Sequence, residues 1–180
     1  MRDHYEAFGA VCAAAIANGD RIVHSENETT GNEGTLGVRI HYRGATPASV
    51  AARPTAAYLV ATVERRYRYM DAFDPDELVH ITDATEFLEG HEVRRGFDGS
   101  VRPLVYEENA TELFDGVAVS TPVYAYDEFG VREYRDRLDT VDERSRRAMD
   151  AVSTEFDVSM DAADATDDAD DHYSGPQGFY

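Results

Sequence analysis

The chain has 180 residues and a net charge of -19, and all 17 of its basic residues are arginine, so it contains no lysine. The single cysteine, Cys12, excludes an internal disulfide and a cysteine-based zinc cluster. No apolar stretch reaches the length of a membrane span. We therefore expect one domain that does not bind a membrane and that is cytoplasmic or assembled in the cytoplasm.

The charge pattern describes the solvent in which the protein works. A large net charge keeps a protein soluble but destabilises its compact state through self-repulsion. In molar salt the Debye length falls to about 3 Å, which screens that repulsion. Arginine remains useful in molar salt because its planar guanidinium group pairs with a carboxylate through two hydrogen bonds. The composition resembles that of haloarchaeal proteins.

A short amphipathic helix is predicted near the start of the sequence. Asp3 and Glu6 form a capping box, and the pair Asn18-Gly19 is a helix stop signal. Four residues recur at helical spacing and form the predicted buried face: Tyr5, Phe8, Cys12 and Ile16. We expect Cys12 to be buried and unreactive, because nothing nearby in sequence would lower the pKa of its thiol.

The next part of the chain predicts short strands. Residues 36–42 alternate between apolar and polar, the period-two pattern of a half-buried strand, and the polar residues 25–34 before them predict a long hairpin loop. Residues 44–54 predict a second irregular connection. Residues 56–70 fit either a helix or a strand. We favour a strand, because their end is rich in tyrosine and a turn signal follows.

Further strands are predicted at close intervals downstream. The segments 77–82, 91–95, 101–106 and 117–126 each fit a strand. One helical turn ends at Gly90, and residues 97–100 form a tight turn. Short strands at this spacing predict an antiparallel body that resembles a sandwich or a barrel.

From residue 127 the pattern becomes helical. An apolar stripe with gaps of three and four passes through Val131, Tyr134, Leu138, Val141, Ser145, Ala148 and Val152. Three pairs at i,i+4 spacing are expected to support the helix: Glu133–Arg137, Asp142–Arg146 and Glu143–Arg147. The helix packs either on the sheet of its own domain, which we favour, or against the same helix of a neighbouring copy.

The predicted fold class is α+β, with a short N-terminal helix, an antiparallel β-rich body and a long C-terminal helix with an acidic tail. We divide the chain into the body with its N-terminal helix at 1–126, the long helix at 127–156 and the tail at 157–180. The tail has seven acidic residues and no basic residue between Asp157 and Asp171, and it ends in an aromatic peptide.

A strip of arginine and tyrosine is the strongest candidate for a binding site: Arg65, Arg66, Tyr67, Arg68 and Tyr69. Such a strip could bind nucleic acid by phosphate contact and base stacking. The negative charge of the chain and abundant salt both oppose phosphate binding. We therefore expect the strip to bind a protein subunit, together with three aromatic residues of the tail: Tyr173, Phe179 and Tyr180.

Signatures of catalysis and of metal binding are absent from the sequence. The histidines lack HxxxH and HExxH spacing, and no GxSxG, Walker A or GxGxxG motif occurs. The acidic tail lacks the EF-hand pattern. We expect no cofactor and no metal. Two alternatives remain open: a small cytoplasmic enzyme with a dispersed site of His80, His91, Glu86 and Arg94, and an adaptor that binds a partner through the strip.

The organisation of the chain resembles that of neck or tail components of tailed haloarchaeal viruses. The resemblance rests on composition and layout, so no functional residue is inferred from it. It implies a structural subunit without catalytic activity, in a head–tail connector or a tail. Its expected location is the virion after assembly in the host cytoplasm. Its expected partners are protein subunits, either copies of itself or neighbouring assembly proteins.

Overall fold

The computed structural model describes residues 4–28, 35–44, 46–52, 58–66, 79–108, 111–125 and 127–157. These residues form three helices and six strands: α1 (His4–Asn18), β1 (Arg21–Glu28), β2 (Thr35–Tyr42), β3 (Thr46–Ala52), β4 (Leu59–Arg66), α2 (Ile81–Gly90), β5 (Ser100–Glu108), β6 (Thr111–Val123) and α3 (Val131–Glu155). The predicted α+β class, with a helix near each end of the described chain, is confirmed. The acidic tail after residue 157 lies outside the described residues.

The strands form one antiparallel sheet in the order β1-β2-β3-β4-β6-β5. Neighbouring strands follow one another along the chain up to β4, and the β5–β6 hairpin then pairs through its second strand. Within the described residues β1 and β5 are the edges of the sheet. In the part of the chain that the structure describes, the second layer of the fold consists of helices and not of a second sheet.

The two faces of the sheet differ in chemistry, because successive residues of a strand point to opposite faces. One row of paired apolar residues crosses all six strands: Ile22, Ile40, Ala48, Val63, Val119 and Val101. We call this side the inner face. The three helices pack on it, and together they enclose the hydrophobic core. The opposite side is called the outer face.

Helix α3 packs on β4 and β6 of its own sheet, as we favoured. Six members of the predicted stripe are buried, and Val131 in the first turn is half-buried. Two of the three i,i+4 pairs form: Arg146 with Asp142 at 2.9 Å, and Arg147 with Glu143. The third pair was predicted wrongly, because Glu133 accepts a hydrogen bond from the backbone N–H of Gly130 at 3.1 Å.

The predicted buried face of α1 was right for two of its four residues. Phe8 and Cys12 are half-buried and pack against the core, and burial raises the pKa of the Cys12 thiol. Tyr5 is 55% exposed and Ile16 is 65% exposed, and the buried residues of the helix are Val11, Ala14 and Ala15. No charged residue lies between Glu6 and Asp20 in the sequence, so helical periodicity could not select a face. The small side chains of Ala14 and Ala15 let the helix approach the sheet closely, and Tyr5 and Ile16 point away from it.

Strand β3 was also missed. Residues 44–54 were predicted to be irregular because they are rich in alanine, proline and glycine, which have low strand propensity. Thr46–Ala52 nevertheless pairs along its length with β2 on one side and β4 on the other. Two complete hydrogen-bonded ladders therefore outweigh the weak local preference. Strand β1 likewise extends to Glu28, into the segment predicted to be a loop.

The region before β5 is more helical than predicted. His80 makes a single antiparallel bridge to Leu113, and α2 then begins at Ile81. Residues 92–94 form a 3-10 helix instead of a strand, with the backbone N–H of Val93 donating to Nδ1 of His91 at 3.2 Å. The strand predicted for residues 56–70 is confirmed for its described part, as β4.

Asp20 is a buried carboxylate that connects three parts of the fold. Its Oδ2 accepts hydrogen bonds from the hydroxyl of Tyr134 at 2.8 Å and from Nδ2 of Asn18 at 2.9 Å. Its Oδ1 accepts from the backbone N–H of Arg43 at 2.9 Å. The end of α1, the β2–β3 turn and the first turns of α3 are therefore held by one side chain.

Tyr42 lies beside this carboxylate and forms a second link to α3. Its hydroxyl donates to Oδ1 of Asp139 at 2.6 Å, and its ring meets that of Tyr134 edge to face, with 6.2 Å between centroids. Burial raises the pKa of both phenols, and the hydrogen bond from each hydroxyl to a carboxylate raises it further. Both tyrosines therefore hold their protons more tightly in the folded protein.

Replacing Tyr134 with Phe should lower the free energy of unfolding by about 1–3 kcal/mol, because a buried carboxylate oxygen loses a donor. Urea unfolding in molar KCl measures the change. Tyr5→Phe is the matched control, since Tyr5 is 55% exposed, and it should leave the free energy unchanged. Equal effects of the two substitutions would show that the Asp20 contact contributes nothing.

The two raised phenol pKa values predict a loss of stability in alkali. Their contribution is fully present below the ordinary tyrosine pKa of about 10, where both states keep the proton. It declines as the pH rises further, because the unfolded chain then releases protons that the folded chain retains. Unfolding free energies measured across this range should fall more steeply for the parent than for a Tyr42→Phe, Tyr134→Phe double variant. Parallel curves would contradict the prediction.

Candidate partner-binding site

The described structure contains two residues of the predicted strip, Arg65 and Arg66, at the end of β4. Tyr67, Arg68 and Tyr69 lie outside the described residues, as do the tail residues Tyr173, Phe179 and Tyr180. Because neighbouring strand residues point to opposite faces, Arg65 lies on the inner face and Arg66 on the outer face. The two arginines therefore do not form one continuous surface.

Arg65 connects the sheet to α3. Its Nε donates to Oγ of Ser145 at 2.7 Å, and its Nη2 donates to Oδ1 of Asp142. Ser145 is fully buried and Asp142 nearly so. The other carboxylate oxygen of Asp142 pairs with Arg146 at 2.9 Å. Arg65 is thus committed to an internal contact, and its guanidinium cannot reach a partner without breaking that contact.

Arg66 is more open, with its side chain 56% exposed. It pairs with Asp115 and lies 3.7 Å from a carboxylate oxygen of Glu64. Burial raises the pKa of the Asp115 carboxyl, and the charge of Arg66 opposes that rise. Asp115 is the extra residue of a bulge between β5 and β6, which turns its carboxylate toward Arg66.

Gly116 makes this bulge sterically feasible. Its φ is +138°, and a Cβ at this position would lie 1.9 Å from the carbonyl oxygen of Arg65. Only glycine fits such a close approach between β4 and β6. The bulge therefore fixes the position of the Arg66–Asp115 pair.

The residues of the alternative enzyme site do not converge. His80 precedes the first residue of α2 and His91 follows its last. At a rise of 1.5 Å per residue, the helix between them separates their backbones by roughly 15 Å. His91 accepts a backbone hydrogen bond and its ring lies 5.1 Å from that of Phe87. Glu86 and Arg94 are exposed.

A depression of about 420 Å³ lies at the start of α3 and is lined by Tyr124, Asp127, Glu128, Phe129 and Glu133. Among the described residues, no three His, Cys, Asp or Glu side chains are grouped to hold a metal ion. No described helix combines the length and the apolar character needed to cross a membrane.

Comparisons of the chain with protein-family models, with curated proteins and with solved structures gave no match. A functional interpretation therefore depends on the surfaces of this chain alone. One of them, described next, contains exposed residues that the sequence pattern assigned to the core.

This surface is the side of α1 that faces away from the sheet. We call it the α1 outer surface. All of its exposed residues except Glu6 are uncharged: Tyr5, Glu6, Gly9, Ala13, Ile16 and Ala17. Helical spacing predicted buried positions for Tyr5 and Ile16, and both are exposed. The usable signal was the complete absence of charge between Glu6 and Asp20, since a helix that is uncharged on every side beyond its first turn also exposes an apolar side when it packs.

Arg65→Ala should lower the free energy of unfolding by about 3 kcal/mol, because removing one partner leaves a buried carboxylate partly uncompensated. Asp142 keeps its ion pair with Arg146 in this variant, so the loss of stability should lie at the low end of the range for breaking a buried ion pair. Arg132→Ala is the control, since Arg132 is exposed on α3. If both variants unfold at the parent's urea midpoint, the Arg65 contact is not a structural link.

Proposed function

We propose that this chain is a non-enzymatic assembly subunit of a multi-subunit complex in a halophile, and that the complex is the neck or tail of a haloarchaeal virus. Composition and layout support the viral part of the proposal. The assembly part is supported by a surface, the α1 outer surface. Its partners are other protein subunits, and the first of these is a second copy of the chain.

The α1 outer surface carries the proposal because it is apolar apart from Glu6 in its first turn, in a chain where 29% of residues are charged. Single exposed apolar residues are ordinary, whereas a contiguous group of them marks an interaction site. Tyr5 and Ile16 are both more than half exposed, and they flank Gly9 and Ala13. The small residues allow another helix to approach closely, and the two large ones supply most of the apolar area.

Molar salt favours contact through such a surface. It screens the repulsion between two strongly acidic copies to within about 3 Å, and it strengthens the burial of apolar groups. A single helix face buries less than the roughly 800 Å² per partner that a standard interface covers. The α1 contact should therefore act together with at least one other contact between copies.

Ile16→Glu tests the proposal, because a carboxylate that replaces one of the two large apolar side chains of the contact would have to be desolvated on association. We expect the full-length parent to form a defined oligomer in molar KCl, and the variant to shift to a smaller mass. Light scattering after size exclusion measures both.

Val105→Glu is the matched control. Val105 is an exposed apolar residue of β5, at the opposite edge of the sheet from β1, and the substitution changes the charge by the same amount. The Val105→Glu variant should form an oligomer of the same mass as the parent. A monomeric parent, or a variant at position 16 that keeps the parent's mass, would refute assembly through α1.

A further inference from the structure

The two edges of the sheet, β1 and β5, differ in their capacity to accept another strand. Strand β5 contains Pro103, which has no N–H to donate, and proline is one of the devices by which edge strands avoid further pairing. Strand β1 contains no proline, and in the described part of the chain it pairs only with β2. An open edge strand is a template for a strand of another chain. Strand β1 is therefore the edge that can accept a further strand.

The ionisable residues of β1 are segregated along its length. Arg21 stands at its start, and Glu26 and Glu28 lie at its end. The bulge of β1 lies at Val23, which is 45% exposed, and the register with β2 is regular from His24 onward. Two copies of this strand that pair antiparallel place the basic start of each toward the acidic end of the other. Cross-strand neighbours of opposite charge are stabilising, so β1 is electrostatically complementary to itself.

We propose that β1 pairs antiparallel with β1 of a second copy, so that the two six-stranded sheets join edge to edge. This inference rests on the proposed function, for which it supplies the second contact between copies. The pairing is two-fold symmetric, so one residue of the strand lies directly opposite itself. That residue is Ser25, because His24 is then opposite Glu26 of the second copy. A register centred on residue 26 or 27 would place two glutamates directly opposite each other, which is destabilising.

Backbone hydrogen bonds make this contact suitable for molar salt. When a strand is added to a sheet edge, main-chain hydrogen bonds supply the affinity. They act at short range, whereas molar salt screens the repulsion between acidic copies beyond about 3 Å. The paired edges also add to the area of the α1 contact, which alone is smaller than a standard interface.

The segments that connect strands of the same chain cannot pair along this edge. Residues 29–34 join β1 to β2 and residues 53–57 join β3 to β4, so both link strands that are already neighbours. Residues 67–78 begin at β4 and lead to Val79, whose carbonyl accepts a hydrogen bond from Phe114 of β6. The position beyond β1 is four strand spacings from β4, so a path there and back covers roughly 38 Å. These residues span about 40 Å when fully extended, which leaves none to pair with β1.

The acidic tail is chemically unsuited to β1. Its segment 157–171 has seven acidic residues and no basic residue, so beside β1 it would meet the acidic end of the strand. Aspartate and alanine, which dominate this segment, are also depleted in strands. A second copy of β1 instead brings Arg21 toward the acidic end, and it already forms a strand.

A single-cysteine scan of the full-length chain tests this pairing. In a Cys12→Ala background each chain receives one cysteine, so any disulfide must join two copies. His24→Cys, Ser25→Cys and Glu26→Cys are introduced separately and oxidised at equal concentration in molar KCl. Ser100→Cys is the matched control, since Ser100 is an exposed serine of the other edge strand, β5. Non-reducing electrophoresis measures the yield of covalent dimer.

We expect Ser25→Cys to give covalent dimer at about ten times the yield of Ser100→Cys, because directly opposite residues have Cα atoms about 5 Å apart, within the range of a disulfide. At positions 24 and 26 the same residue of the two copies is separated by roughly 8 Å, beyond that range. Their yields should therefore equal that of the control. Equal yields from the three β1 variants, a maximum at position 24 or 26, or a Ser25→Cys yield no higher than the control would overturn the inference.

Hydrogen exchange of the unsubstituted chain gives a readout that depends on no variant. In an antiparallel pair, alternate N–H groups of a strand point toward its neighbour and the others point away. In the oligomer, we expect the outward N–H groups of β1 to exchange at least about tenfold more slowly than those of β5, after correction for sequence. Equal rates at the two edges would contradict the pairing.

The result separates this inference from the proposed α1 contact. If Ile16→Glu leaves the mass unchanged while Ser25→Cys forms the covalent dimer, the α1 contact fails and the pairing of β1 stands. If Ile16→Glu reduces the mass and Ser25→Cys gives no more dimer than the control, the α1 contact stands and the pairing of β1 fails.

Discussion

The contact between α3 and the inner face of the sheet is the interaction on which the rest of the fold depends. The helix must bury its apolar stripe on the sheet, and it must also place Asp142 and Ser145 within hydrogen-bond reach of Arg65. Only one position of the helix on β4 and β6 meets both requirements. A shift by one turn would leave the buried carboxylate without its partner, which costs several kcal/mol. The other two helices are then positioned against α3, α1 through Asp20 and α2 through Phe87.

Arginine forms much of the tertiary bonding between α3 and the rest of the chain. Arg137 donates to Asp98 at 2.9 Å, and Arg144 donates to the carbonyl of Val93 while its guanidinium lies 4.4 Å from the ring of Phe97. Burial raises the pKa of Asp98, but the hydrogen bonds from Arg137 and Thr121 lower it more, so the net shift is downward. These contacts are directional and act over a short range, so they persist in a chain whose long-range electrostatic interactions are screened by salt. Arginines used in this way are unavailable to partners.

The sequence predicts the fold well where side chains of different character alternate. The stripe of α3 and the pattern of residues 36–42 each permit one orientation only. Helix α1 has no charged residue after its first turn to orient it, and β3 is built of residues with weak strand preference, so both depend on neighbours that are distant in sequence. The arginine strip shows a related limit. Its alternation places Arg65 and Arg66 on opposite faces, but their partners Asp142 and Asp115 are fixed only by the tertiary structure.

The α1 outer surface has one consequence for how copies of the chain can assemble, because it belongs to a single helix. A pairing of α1 with itself uses the same surface on both copies, so it closes at a dimer. A ring or a filament needs a contact that joins unlike surfaces of neighbouring copies. Any assembly larger than a dimer therefore depends on a surface of the chain other than α1.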